Sequence, residues 1–132
     1  MITEHIQLPH PTNRTTDGPL FRHERDQLVV EYDFQHDDGS VEWSSLIFLD
    51  VLAVEYRQFA CCAEGSVIDA REAHSTADSK WLSEVLTRWN ESVGWIDWHK
   101  KQGSASRFRH FSLFFDDAGC IGVIAASCEV VR

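Results

Sequence analysis

The side chains that could do chemistry in this chain are its four cysteines, its seven histidines and its paired aspartates Asp37-Asp38 and Asp116-Asp117. Nucleophilic catalysis needs a thiolate with a base in reach, and Cys61 or Cys62 beside His74 or His110 is the one pairing these residue types offer. Cys61 and Cys62 are adjacent, Cys120 and Cys128 fall in one predicted strand, and no C-x-x-C pair occurs. Free thiols packed as small apolar side chains are therefore expected. A strand carrying Cys61-Cys62 would send the two sulfurs to opposite faces, which argues against joint ligation of one metal. The histidines show no H-x-x-x-H spacing on a helix, so no zinc site is expected. Neither aspartate pair has the alternating oxygens and distal bidentate Glu of a calcium loop. Each is followed closely by glycine, Gly39 or Gly119, which is turn chemistry. No Walker loop, G-x-S-x-G or G-x-G-x-x-G is present. The expectation is a chain with no catalytic residue, no metal and no cofactor.

Charge is the more informative signal. The chain carries a net −9, and from Asp26 to Asp78 twelve acids face only Arg57 and Arg71, a local balance of −10. From His99 to His110 four bases and no acid give +4. A field this negative repels nucleic acid and anionic membrane and favours a basic protein partner. The plain alternative is that the charge keeps a small domain in solution. The expected docking residues are Asp33, Asp37, Asp38, Glu42 and Glu55. Trp95 and Trp98, beside Lys100-Lys101, join them as an aromatic recognition patch, because tryptophan often anchors interfaces.

The elements that must position these residues follow from pattern. The length of 132 residues fits one domain. Residues 1–25, with Pro9, Pro11 and Pro19, predict an extended N-terminal arm in which Ile2, Ile6 and Leu8 could form a short edge strand, leaving 26–132 as a single α+β domain. Leu28-Val30-Tyr32-Phe34 alternates with polar residues, His36 to Gly39 supplies a turn, and Val41–Leu49 returns. Val51–Phe59 reads as a third strand of that meander. Residues 60–75 read mainly as loop, with a short strand at Val67-Ile68. Trp81, Leu82, Val85, Leu86, Trp89 and Val93 recur at helical spacing after Ser79, with Gly94 as the stop. Arg107 to Val131 reads as one long hairpin about Asp116-Asp117-Ala118-Gly119, its return strand apolar on both faces and so central in a sheet. Small residues on that strand, Gly122 among them, leave room for the helix to approach. The fold expected is α+β: a mostly antiparallel sheet of about five to six strands with one main helix packed on it. The second half lacks the roughly 18-residue apolar run of a membrane span, and Met1 to His5 has no secretory pattern, so a cytoplasmic protein is expected, monomeric or homodimeric.

The order of strands, Trp-bearing helix (Ser79-Lys80-Trp81-Leu82-Ser83-Glu84-Val85-Leu86) and closing hairpin (Phe111 to Val130) resembles small α+β bacterial proteins of uncharacterised families. Some similar small acidic proteins are immunity partners of secreted toxins. The resemblance spans Leu28 to Val131 in pattern, and it implies a stoichiometric inhibitor whose acidic surface masks a basic toxin. Two other classes stay open: a small-ligand binder or enzyme with a pocket between helix and sheet near Trp89, Trp95 and His110, and a structural domain that self-associates through a sheet edge.

Overall fold

The computed structural model describes residues 3–58, 61–62, 68–92 and 105–131. Gly94 as helix stop, Val67 and the Trp95–Trp98 patch lie outside the described residues. The described strands are β1 (Thr3–Gln7), β2 (Leu20–Glu24), β3 (Gln27–Gln35), β4 (Val41–Leu49), β5 (Ala53–Arg57), β6 (Glu72–Thr76), β7 (Arg109–Phe115), β8 (Gly119–Ala125) and β9 (Ser127–Val131), with one α-helix, α1 (Lys80–Ser92), between β6 and β7. The broad expectation of antiparallel strands plus a helix holds. The strands are nine, however, and they form two sheets: β1-β6-β7-β8-β5 and β2-β3-β4-β9, with every pairing antiparallel.

The two sheets face each other across the main core. Leu28, Val30, Tyr32, Leu46 and Phe48 of the four-stranded sheet meet Phe111, Leu113, Phe115, Ile121, Val123 and Ala125 of the five-stranded one. Period-2 alternation makes this possible, since each strand turns one apolar row inward. The other face of the five-stranded sheet is covered by α1. Trp81, Leu82, Val85, Leu86 and Trp89 pack there with Leu52, Ala53, Phe108, Ile124 and Ala126. Ser79 caps the helix, its Oγ accepting the Leu82 N–H at 3.1 Å. The two-sided apolar character of β8 is thus explained by cover from a sheet on one side and a helix on the other. Gly122 leaves room for the helix: a Cβ there would lie 3.0 Å from the Trp81 ring and 3.2 Å from His110 Nε2.

Four local expectations are corrected. The N-terminal arm does carry the short edge strand expected there, β1, but it also carries β2, which joins the other sheet. The stretch read as loop holds β6, paired between β1 and β7. The meander is broken: β4 and β5 lie in different sheets, because Asp50 adopts a left-handed φ of 55° and turns the chain. The long return strand also changes sheet, at Ala126, passing from β8 to β9. The two crossings run side by side. Ala126 N–H donates to Leu49 O at 2.9 Å and Leu52 N–H donates to Ile124 O at 2.8 Å. Arg107 closes this corner by pairing with the Asp50 carboxylate.

The thiols are corrected as well. Cys62 and Cys120 form a disulfide across 58 residues, leaving Cys61 exposed and Cys128 half-buried. Burial, with Glu129 nearby, pushes the Cys128 thiol up to about 12, so it is inert as a nucleophile. Among the described residues no helix is long and apolar enough to cross a membrane.

Candidate functional site

The β3–β4 hairpin gathers several of the chain's acids. Between Gln27 and Leu49 lie Glu31, Asp33, Asp37, Asp38 and Glu42, with no Lys or Arg. Phe34 pairs with Glu42 and Gln35 with Val41, so the chain turns through His36 to Ser40. Gly39 takes the φ of +88° that this turn requires. Asp38 accepts the Ser40 hydroxyl at 2.6 Å and the Ser40 N–H at 2.9 Å, and these hold its carboxyl below the ordinary value. The Asp37 side chain is 96% exposed and meets Arg14 Nη1 at 2.8 Å. Asp37, Asp38 and Glu42 are therefore brought together as the sequence suggested.

Asp33 is not. It is fully buried beneath the Thr16–Gly18 segment. Its carboxylate accepts the N–H groups of Thr16 at 3.0 Å, Asp17 at 3.0 Å and Gly18 at 2.8 Å, and the Thr16 hydroxyl as well. Burial raises its pKa, but the hydrogen bonds outweigh that and hold it at about 2. Asp33 pins the chain to the sheet and is unavailable to a partner. Glu55 is separated too. It sits on β5 of the other sheet, pairs with Gly122, and receives the Arg57 guanidinium. A residue the sequence reading passed over joins the hairpin instead: Trp43 is 44% exposed, next to exposed Val41. Alternation could have found it, since Ser44, Leu46 and Phe48 point inward and Trp43 must then point out.

Among the described residues, two mixed clusters occur that helical spacing could not reveal. In each, two histidines and a glutamate hold one ligand atom apiece within 4.8 Å of the others: His10, His36 and Glu42, and His5, Glu72 and His74. The first joins the segment between β1 and β2 to the β3–β4 hairpin. His36 Nε2 lies 2.9 Å from Glu42 Oε1 and His10 Nε2 lies 3.2 Å from Glu42 Oε2. The second lies on adjacent strands, where His5 opposes His74 in register.

A depression of about 160 Å³ opens beside α1, lined among others by Glu55, Arg57, His110, Ser112 and Gly122. His110 stands against Trp81 edge-on, its Nδ1 2.8 Å from Ser79 Oγ, and burial lowers its pKa despite Glu55 nearby. Trp89 does not line it; that ring packs on Phe108 at 5.5 Å. The volume falls short of the roughly 300 Å³ at which small-molecule pockets begin. Among the described cysteines, Cys62 is closed in the disulfide, which leaves only Cys61 of the pair considered as nucleophile. No family model, no curated protein and no solved structure matches this chain.

Proposed function

We propose that this chain is a non-enzymatic acidic binding module, most concretely an immunity protein that neutralises a basic toxin by occupying its cationic surface. The observation that carries this reading is the β3–β4 hairpin, which presents exposed Asp37, Asp38 and Glu42, carries half-exposed Trp43 on the opposite face of β4 from Glu42, and has no Lys or Arg of its own. Exposed acids on a hairpin suit a cationic partner, since the charges speed encounter, and Trp43 offers it a separate apolar contact. Arg14 and Arg22 lie alongside and pair with Asp37 and Glu31, which tempers the field without reversing it. Trp95 and Trp98 belong to the same proposal as a second aromatic contact. The test is capture of a partner by the tagged chain, followed by affinity measurements at two salt concentrations. A basic partner is expected, held about tenfold more weakly when salt rises from roughly 0.05 to 0.5 M. Asp37→Lys with Asp38→Lys is expected to weaken it by at least as much. An acidic partner, or affinity indifferent to both changes, refutes the proposal.

A second reading is favoured by the depression at His110, where Glu55, Arg57 and Ser112 converge. It would suit a small polar ligand, and its mark is a ligand that protects Trp81 fluorescence from quenching while Asp37→Lys leaves binding untouched.

A further inference from the structure

The His10–His36–Glu42 cluster goes beyond the docking reading and stands whether or not the hairpin meets a protein. Two imidazoles and one carboxylate are the protein donors of many mononuclear metal sites with an open position, zinc hydrolases and two-histidine iron centres alike. We infer that His10 Nε2, His36 Nε2 and the Glu42 carboxylate bind one divalent transition-metal ion of the zinc class, with a fourth position open.

Geometry, orientation and rigidity each support this. Ligands at 2.0–2.1 Å from a tetrahedral ion stand about 3.3 Å apart. The two nitrogens here stand 2.9 and 3.2 Å from the Glu42 oxygens, so small movements admit an ion. His10 Nδ1 lies 3.0 Å from Ser44 Oγ, which sets the ring with Nε2 toward Glu42. Metal-binding histidines are commonly oriented by a partner on the other nitrogen in this way. Both rings are held by one aromatic: His10 stacks on Phe34 at 5.0 Å and His36 meets it edge-on at 4.9 Å. The Tyr32 hydroxyl donates to the His10 carbonyl at 2.8 Å, fixing the backbone that carries the ring. Arg14 stands 5.4 Å from the Phe34 ring centre, and its charge is engaged by Asp37.

The His5–Glu72–His74 cluster is the weaker candidate. Both histidines approach the same Glu72 oxygen, at 2.5 and 3.6 Å, and the His5 side chain is 56% exposed. The shorter separation suits an ion pair better than two ligands of one metal.

The test uses the full chain, stripped with chelator and titrated with zinc chloride by calorimetry and with cobalt chloride by visible absorption. One ion per chain is expected, with a Kd on the order of 1 µM or below and the cobalt bands of a four-coordinate site. His36→Ala and Glu42→Gln, both at the solvent-facing hairpin end, are each expected to weaken zinc about 100-fold. Ser44→Ala is expected to weaken it about tenfold by freeing the His10 ring. His5→Ala is expected to leave it unchanged. Circular dichroism of each metal-free variant separates lost ligands from lost fold. Affinity weaker than about 100 µM, or binding that survives His36→Ala in a folded chain, overturns the inference.

Discussion

Replacing Asp33 by asparagine keeps the side chain's shape but removes the charge that gathers the Thr16–Gly18 segment. In the folded chain four hydrogen bonds converge on this carboxylate, three from backbone N–H groups. They hold its pKa at about 2, against 3.8 for an ordinary aspartate. A gap of that size corresponds to roughly 2 kcal/mol of stability at neutral pH. Asparagine can accept with one oxygen, but its amide must turn N–H groups toward the backbone donors or away from them. Asp33→Asn is therefore expected to lose roughly 2 kcal/mol at pH 7, a fall in Tm of about 7 °C for a chain of this size. The pH dependence has a definite sign. The folded pKa lies below the unfolded one, so the contribution is complete above pH 3.8 and is lost as pH falls toward about 2. Wild type and variant should thus converge over that interval. Urea unfolding followed by tryptophan fluorescence at pH 7, 4 and 2.5 measures the difference directly. A variant within about 0.5 kcal/mol of wild type at pH 7, or a gap that fails to narrow below pH 4, refutes the assignment of Asp33 as a buried anchor.

Two further perturbations address the frame. Thiol titration in denaturant without reductant is expected to find two free thiols, Cys61 and Cys128, and a count of four rules out the Cys62–Cys120 bond. Closing a loop of 58 residues contributes about 4 kcal/mol through the unfolded chain, so reduction or Cys62→Ala should lower the denaturant midpoint by a corresponding amount. Gly119→Ala places a methyl group 2.0 Å from the Arg57 carbonyl oxygen at a φ of +101°. A loss of at least about 2 kcal/mol is expected by the same unfolding assay, and an unchanged midpoint would show that β5 does not lie against this turn.

Local order was readable in the chain because it depends on residues close in sequence. The alternation from Leu28 to Phe34, the Trp81–Trp89 stripe and the turns at Gly39 and Gly119 each announce an element through their own period or backbone freedom. The acidic hairpin was readable for the same reason, since its charges are consecutive along two paired strands. What the pattern could not carry was which sheet each strand joins. A run of apolar residues looks the same whether it stays in one sheet or bends at Ala126 into a second, and Asp50 gives no sign in sequence that its φ is positive. β6, with the sequence Glu-Ala-His-Ser-Thr, has too few apolar residues to announce itself and is a strand because β1 and β7 supply its hydrogen bonds. Only tertiary structure removed Asp33 from the surface, parted Glu55 from the other acids, joined Cys62 to Cys120 and gathered His10, His36 and Glu42. The physical reason is common to all four: each depends on contacts between segments distant in the chain. Their closeness is fixed by how two sheets pack, and no period of two or of 3.6 residues records it.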